Sequence, residues 1–120
     1  MSEDEIINLA IDGILKLNHI DSYREESGLT REEAFNSLSI SVARRYQSQS
    51  LTYEEADYAA NLIWSAMVQD CVDREDQGGF AQPAYDIYEA FDAGEYDHGD
   101  GDDPIEKYTK PRIKEILENA

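Results

Sequence analysis

Thr52 to Val72 reads TYEEADYAANLIWSAMVQDCV, and the spacing of its apolar residues admits one local structure. Ala56, Ala59, Ala60, Ile63, Ala66, Met67 and Cys71 recur at steps of three and four, which places them on one face of an α-helix. Thr52 stands just before the run and Glu55 three residues later. This is the capping-box pattern, in which a hydroxyl accepts from the exposed amides of the first turn and a carboxylate reaches back. A helix over Tyr53–Val72 is therefore predicted, the longest in the chain. Its small residues allow a neighbouring backbone to approach closely, and Leu62 and Trp64 flank the stripe. The helix is expected to touch neighbours on more than one side and to form the structural centre, with Trp64 read as core rather than ligand platform.

The same capping signature occurs twice upstream. Ser2 and Glu5 open a first helix whose apolar face carries Ile6, Ala10, Ile14 and Leu17, widened by Ile7, Ile11 and Leu15. Asn18 and His19 are expected to end it, with His19 suited to the negative end of the helix dipole. After the polar run DSYREESG, Thr30 and Glu33 open a second helix with Phe35, Leu38, Val42 and Tyr46 as its stripe and Ala34 beside them. Arg44 and Arg45 on this helix are expected to pair with acids of the same chain.

Downstream of the central helix, Asp73–Gly79 is a break whose paired glycines suit a chain reversal. Pro83 and Gly94 bracket a fourth helix, with Ala84, Ile87, Tyr88 and Phe91 facing inward and Asp86, Glu89 and Asp92 on the other side. Glu95–Asp103, EYDHGDGDD, has no apolar periodicity and is expected to be an exposed or mobile loop. Asp103 and Pro104 then cap a further helical piece. Pro111 predicts a break or kink at Lys110, before a last segment with Ile113, Ile116 and Leu117. The fold class is all-α: one domain over residues 1–120, a bundle of about five helices with a long central third helix.

Twenty-seven acids against ten bases give a net charge of −17 and a field that repels nucleic acid and anionic membranes and attracts basic surfaces. Between Gln69 and Glu106 thirteen acids face one base, Arg74, so the charge is concentrated in that segment. No run is long enough to span a membrane, and the N-terminus, MSEDEII, is acidic where a secretory signal is basic. A cytoplasmic location is expected. Cys71, the single cysteine, is read as packing.

The Asp-rich loop invites a calcium reading, but from Asp97 the alternate positions that should carry ligands are Gly99 and Gly101. There is no Gly-rich phosphate cradle, no nucleophile elbow and no two-histidine metal helix in the sequence. No catalytic residue, no metal site and no cofactor is assigned, and the protein is not expected to be an enzyme. A metal-dependent enzyme using Asp97, His98, Asp100 and Asp102 stands as one alternative, and a soluble helical domain of a larger assembly as another.

A basic protein partner fits the pattern best. Tyr85, Asp86, Glu89, Asp92, Glu95, Tyr96 and Asp97 form the expected partner surface, with carboxylates to meet Lys and Arg and tyrosines to stack on guanidinium groups. In size, acidity, helix content and the tyrosine-bearing acidic run Tyr85 to Tyr96, the chain resembles the small all-helical bacterial immunity proteins. That resemblance implies a stoichiometric inhibitor of a basic nuclease toxin, acting by plugging the active site or by excluding substrate through charge. A nucleic-acid mimic that inhibits a DNA- or RNA-binding protein is the alternative within binding proteins.

Overall fold

Each of the three capping boxes starts a helix in the computed structural model, which describes residues 1–75 and 79–120. Ser2 Oγ accepts from the Glu5 amide and Glu5 Oε1 from the Ser2 amide, both at 3.2 Å, to open α1 (Glu3–Ile11). Thr30 and Glu33 exchange the same pair at 3.1 and 3.0 Å to open α3 (Arg31–Gln47). Thr52 and Glu55 do so at 3.1 and 2.9 Å for α4 (Tyr53–Asp73).

The region between Asp12 and Ser27 departs from expectation. α1 stops at Ile11, because Gly13 adopts φ +79° and closes the helix end with Gly13 N–H on Ala10 O and Ile14 N–H on Leu9 O. Ile14 consequently leaves the apolar face and is 54% exposed. The polar run then forms a helix of its own, α2 (Leu17–Ser27), ended by Gly28 at φ +70°. His19 sits in its first turn, not at a C-terminus, and its Nδ1 accepts from the Lys16 amide at 3.0 Å. Only Ile20 and Tyr23 of α2 are buried, too few to announce a helix by periodicity.

Among the described residues there are thus six α-helices, with no strand, rather than five. α4, the longest at 21 residues, buries all seven residues of the predicted stripe. Cys71 packs inward while Val68 and Val72 face solvent. α4 lies against α1, α2, α3 and α5, but α3 touches all five other α-helices, so the centre is a pair and not one helix. The radius of gyration of 14.0 Å matches a folded 120-residue chain, for which about 13.6 Å is usual.

Ion pairs fasten the first half. Asp21 accepts from Arg24 and Arg31, and the nearly buried Asp70 accepts from Arg31 at 3.1 Å and Arg74 at 2.9 Å, tying α2, α3 and α4 together. Hydrogen bonds from Arg31 hold the Asp21 carboxyl down at about 2. Of the basic pair, Arg45 reaches Glu3 and Asp4 on α1 as expected, whereas Arg44 is exposed and makes no ion pair among the described residues. α4 ends at Asp73 and Gly79 takes φ +69°, while Gly78, the other half of the predicted reversal, lies outside the described residues.

The C-terminal region runs on, through a π turn, where a break or kink was predicted. Ile105–Thr109 is a π-helical turn that passes directly into α6 (Lys110–Glu118). Lys110 is fully helical at φ −58° and ψ −49°, and its N–H bonds Ile105 O, five residues back. Pro111 lacks an N–H and its ring crowds the carbonyl four residues earlier. The wider π turn just ahead of it accommodates both without unwinding the chain.

Candidate protein-binding face

α5 (Ala84–Asp92) organises this face, and both of its ends are held by other parts of the chain. At its N-terminus Asn36 Oδ1, from α3, accepts the Ala84 amide at 3.1 Å. At its C-terminus the Tyr53 hydroxyl donates to Phe91 O at 2.5 Å and the Thr109 hydroxyl to Ala90 O at 2.7 Å. His98 Nε2 lies 2.8 Å from Ala93 O. These contacts supply partners for carbonyls that a helix end otherwise leaves unpaired.

Gly94 sits at the point where these groups converge. Read from the sequence as the residue past a helix end, it instead lies buried in a 3-10 turn (Ala93–Glu95) without a positive φ. A Cβ there would stand 2.7 Å from the Tyr53 hydroxyl and closer still to that of Thr109. Close approach, not backbone freedom, is what requires glycine here.

The side chains of α5 sort by helical spacing. Ala84, Ile87, Ala90 and Phe91 are buried. Tyr85 and Tyr88 lie toward α4, where Trp64 stacks on Tyr88 with centroids 4.6 Å apart and Phe80 stacks on Tyr85 at 5.5 Å. Tyr85, nominated as an interface anchor, is therefore half-buried in an aromatic group, and the negative charge of Glu89 beside it pushes its phenol pKa up.

Asp86, Glu89, Asp92 and Tyr96 do come together, lining a groove of about 370 Å³ with Tyr108 and Arg112. Arg112 Nη2 stands 3.6 Å from Asp86 and binds Glu115 as well. Tyr96 is 54% exposed and packs on His98, which in turn packs on Tyr108 at 3.9 Å, so an aromatic stack forms one wall. Among the described residues Glu89, Asp92, Glu95 and Asp97 make no ion pair.

Glu95 is drawn away from that groove by a residue the sequence reading passed over. Its carboxylate accepts side-chain hydrogen bonds from Asp57, Asp92 and Asn61, and these hold it ionised. Burial first, and then the bond to Glu95, push the Asp57 carboxyl up to about 8. Asp92 is raised chiefly by its own bond to Glu95. Glu95 thus draws Asp57 and Asp92 together across the α4–α5 contact, and both carboxyls are raised while its own is lowered. The signal in the sequence was the row Tyr53, Asp57, Asn61 and Trp64, spaced four, four and three apart beside the alanine face.

Asp97 belongs to the loop and not to the groove. Asp97, Asp100 and Asp103 each accept the amide two residues on, at 2.8, 3.0 and 2.9 Å, so three Asx turns at three-residue steps give the loop a defined path. Lys107 bonds Asp100 and Asp102, both at 2.9 Å, and Tyr108 also donates to Asp100. Those two donors hold the Asp100 carboxyl far below its ordinary range. Asp97 and His98 therefore serve backbone groups, while Asp100 and Asp102 share Lys107. Among the described residues no three His, Cys, Asp or Glu side chains are grouped to hold a metal.

Comparison with protein-family models, curated proteins and solved structures gave no match. Among the described residues no helix is long and apolar enough to cross a membrane.

Proposed function

We propose that the face built on α5 and the 3-10 turn binds a basic protein, and that the protein is a stoichiometric inhibitor of the immunity type, directed at a nuclease toxin. The carrying observation is the distribution of countercharge. Arg24, Arg31 and Arg74 are drawn to Asp21 and Asp70, Arg45 to α1, and Lys107 and Lys110 to neighbours in their own segment. Glu89 and Asp92 in the groove are left without a cationic partner among the described residues, beside an aromatic wall, as is Asp97 in the adjoining loop. An incoming Lys or Arg would meet carboxylates already positioned on a helix and tyrosine rings able to stack on it. The metal-enzyme alternative lacks a comparable ligand set, because the loop acids accept from backbone amides and from Lys107.

The test is a pair of four-site variants with equal charge change. Asp86→Asn, Glu89→Gln, Asp92→Asn and Asp97→Asn together are expected to weaken partner binding by about a hundredfold at 150 mM salt and to flatten its salt dependence. Glu25→Gln, Glu32→Gln, Glu54→Gln and Glu118→Gln, all on exposed positions elsewhere, are expected to change it by less than about threefold. The partner comes from affinity capture with tagged wild-type protein. Unaltered affinity and salt slope in the first variant would place the binding surface elsewhere.

A further inference from the structure

A second concavity, of about 610 Å³, lies between the C-terminal end of α3, the N-terminal end of α4 and the Ile105–Glu118 helix. Its volume falls in the range of about 300–1,000 Å³ usual for small-molecule sites. Its walls are of opposite character to the acidic face. Leu51 and Ile105 supply apolar surface over the buried Ile113, and Lys110 and Lys114 stand beside them. In a chain of net charge −17 this is an uncommon pairing. Lys110 is held by Glu106, whereas Lys114 makes no ion pair or hydrogen bond among the described residues.

Two further features mark this wall. The Tyr46 hydroxyl is buried with no hydrogen-bond partner, although buried polar groups are nearly always paired. Gln49 holds φ +68° as the residue just past the end of α3, with Gln49 N–H on Tyr46 O and Ser50 N–H on Arg45 O. Glycine would fill that position without strain, yet a glutamine stands there and its side chain lines the cavity. A strained residue, an unpaired hydroxyl and an uncommitted lysine thus meet at one apolar concavity.

We infer that this cavity binds a small anionic amphiphile, an apolar body ending in a single carboxylate. The body lies along Leu51, Ile105 and Ile113, the carboxylate meets Lys114 and draws Lys110 from Glu106, and Gln49 and Tyr46 offer hydrogen-bonding groups at the wall. The site shares no lining residue with the acidic groove and stands or falls independently of it.

The experiment is a titration of the full ¹⁵N-labelled chain with octanoate, with octanol as the neutral control. The expected result is saturable amide shifts centred on Leu51, Ile105 and Ile113, with octanoate at least tenfold tighter than octanol. The Lys114→Gln variant, whose spectrum away from the cavity reports its fold, is expected to remove most of that preference. Shifts confined to other regions, equal affinity for the two probes, no saturation in the millimolar range, or unchanged preference in Lys114→Gln would each overturn the assignment.

Discussion

α3 and α5 are held by different kinds of contact. α3 is started by its own first turn, where Thr30 and Glu33 satisfy each other's amides, and its length of 17 residues buries a broad stripe. α5 has nine residues and no side-chain cap of its own. Asn36, Tyr53 and Thr109, from α3, α4 and the π turn, hold its two ends. A helix of that length is marginal by itself. α5 exists because the rest of the molecule closes on it, and the acidic face therefore depends on distant residues.

The comparison is tested most severely at Gly94. Gly94→Ala places a methyl group against the Tyr53 and Thr109 hydroxyls and is expected to cost about 3 kcal/mol, by overpacking and loss of both helix-end bonds. Gly28→Ala, at a left-handed position with open space around it, is expected to cost only about 1 kcal/mol. Urea denaturation of the two variants checks this. Equal losses would mean that α5 needs no closure from outside.

A smaller effect is expected from Thr109→Val, which keeps the shape and leaves Ala90 O without its donor. It should cost about 1–2 kcal/mol and increase amide exchange in α5 before it does so in α3. If Thr30→Ala, at the local cap of α3, produced the same exchange pattern, the distinction between the two helices would fail.

The smallest effect concerns pH. Asp57 is raised above its unfolded value, so the folded state binds its proton more tightly. Its contribution to stability is complete below about pH 4 and is lost as pH rises through about 8. Glu95 works in the opposite sense, because its lowered pKa contributes above pH 4.5 and fades only in acid. Asp57→Asn keeps a donor toward Glu95 without the charge. After allowance for its partial exposure it is expected to stabilise the protein by roughly 1 kcal/mol at pH 8 and to leave stability at pH 5 nearly unchanged. Thermal melts at the two values decide it, and a loss at pH 8 would show that the carboxylate form of Asp57 is the one the fold requires.

What was legible follows from the range of each interaction. The three capping boxes and the α4 stripe lie within a turn or two of sequence, and all were read correctly. α2 was missed because two buried residues make no periodic signal, and the unbroken passage through Pro111 because proline states what it forbids locally and not the π turn that avoids it. Of the nominated surface, Asp86, Glu89, Asp92 and Tyr96 share a groove. Tyr85 joined Trp64 and Phe80, Glu95 joined Asp57, and Asp97 turned into the loop.

By itself, then, the sequence determined the helical class, the starts of α1, α3 and α4, and the concentration of negative charge after residue 69. Those depend on composition and on neighbours three or four positions away. Only the tertiary structure decided that α5 is closed by Asn36, Tyr53 and Thr109, that Gly94 permits this closure, and that Asp57 shares a proton network with acids some forty residues on, roughly ten helical turns of sequence away. Hydrogen bonds between distant side chains have no spacing to betray them, because the chain path between their ends is free to vary.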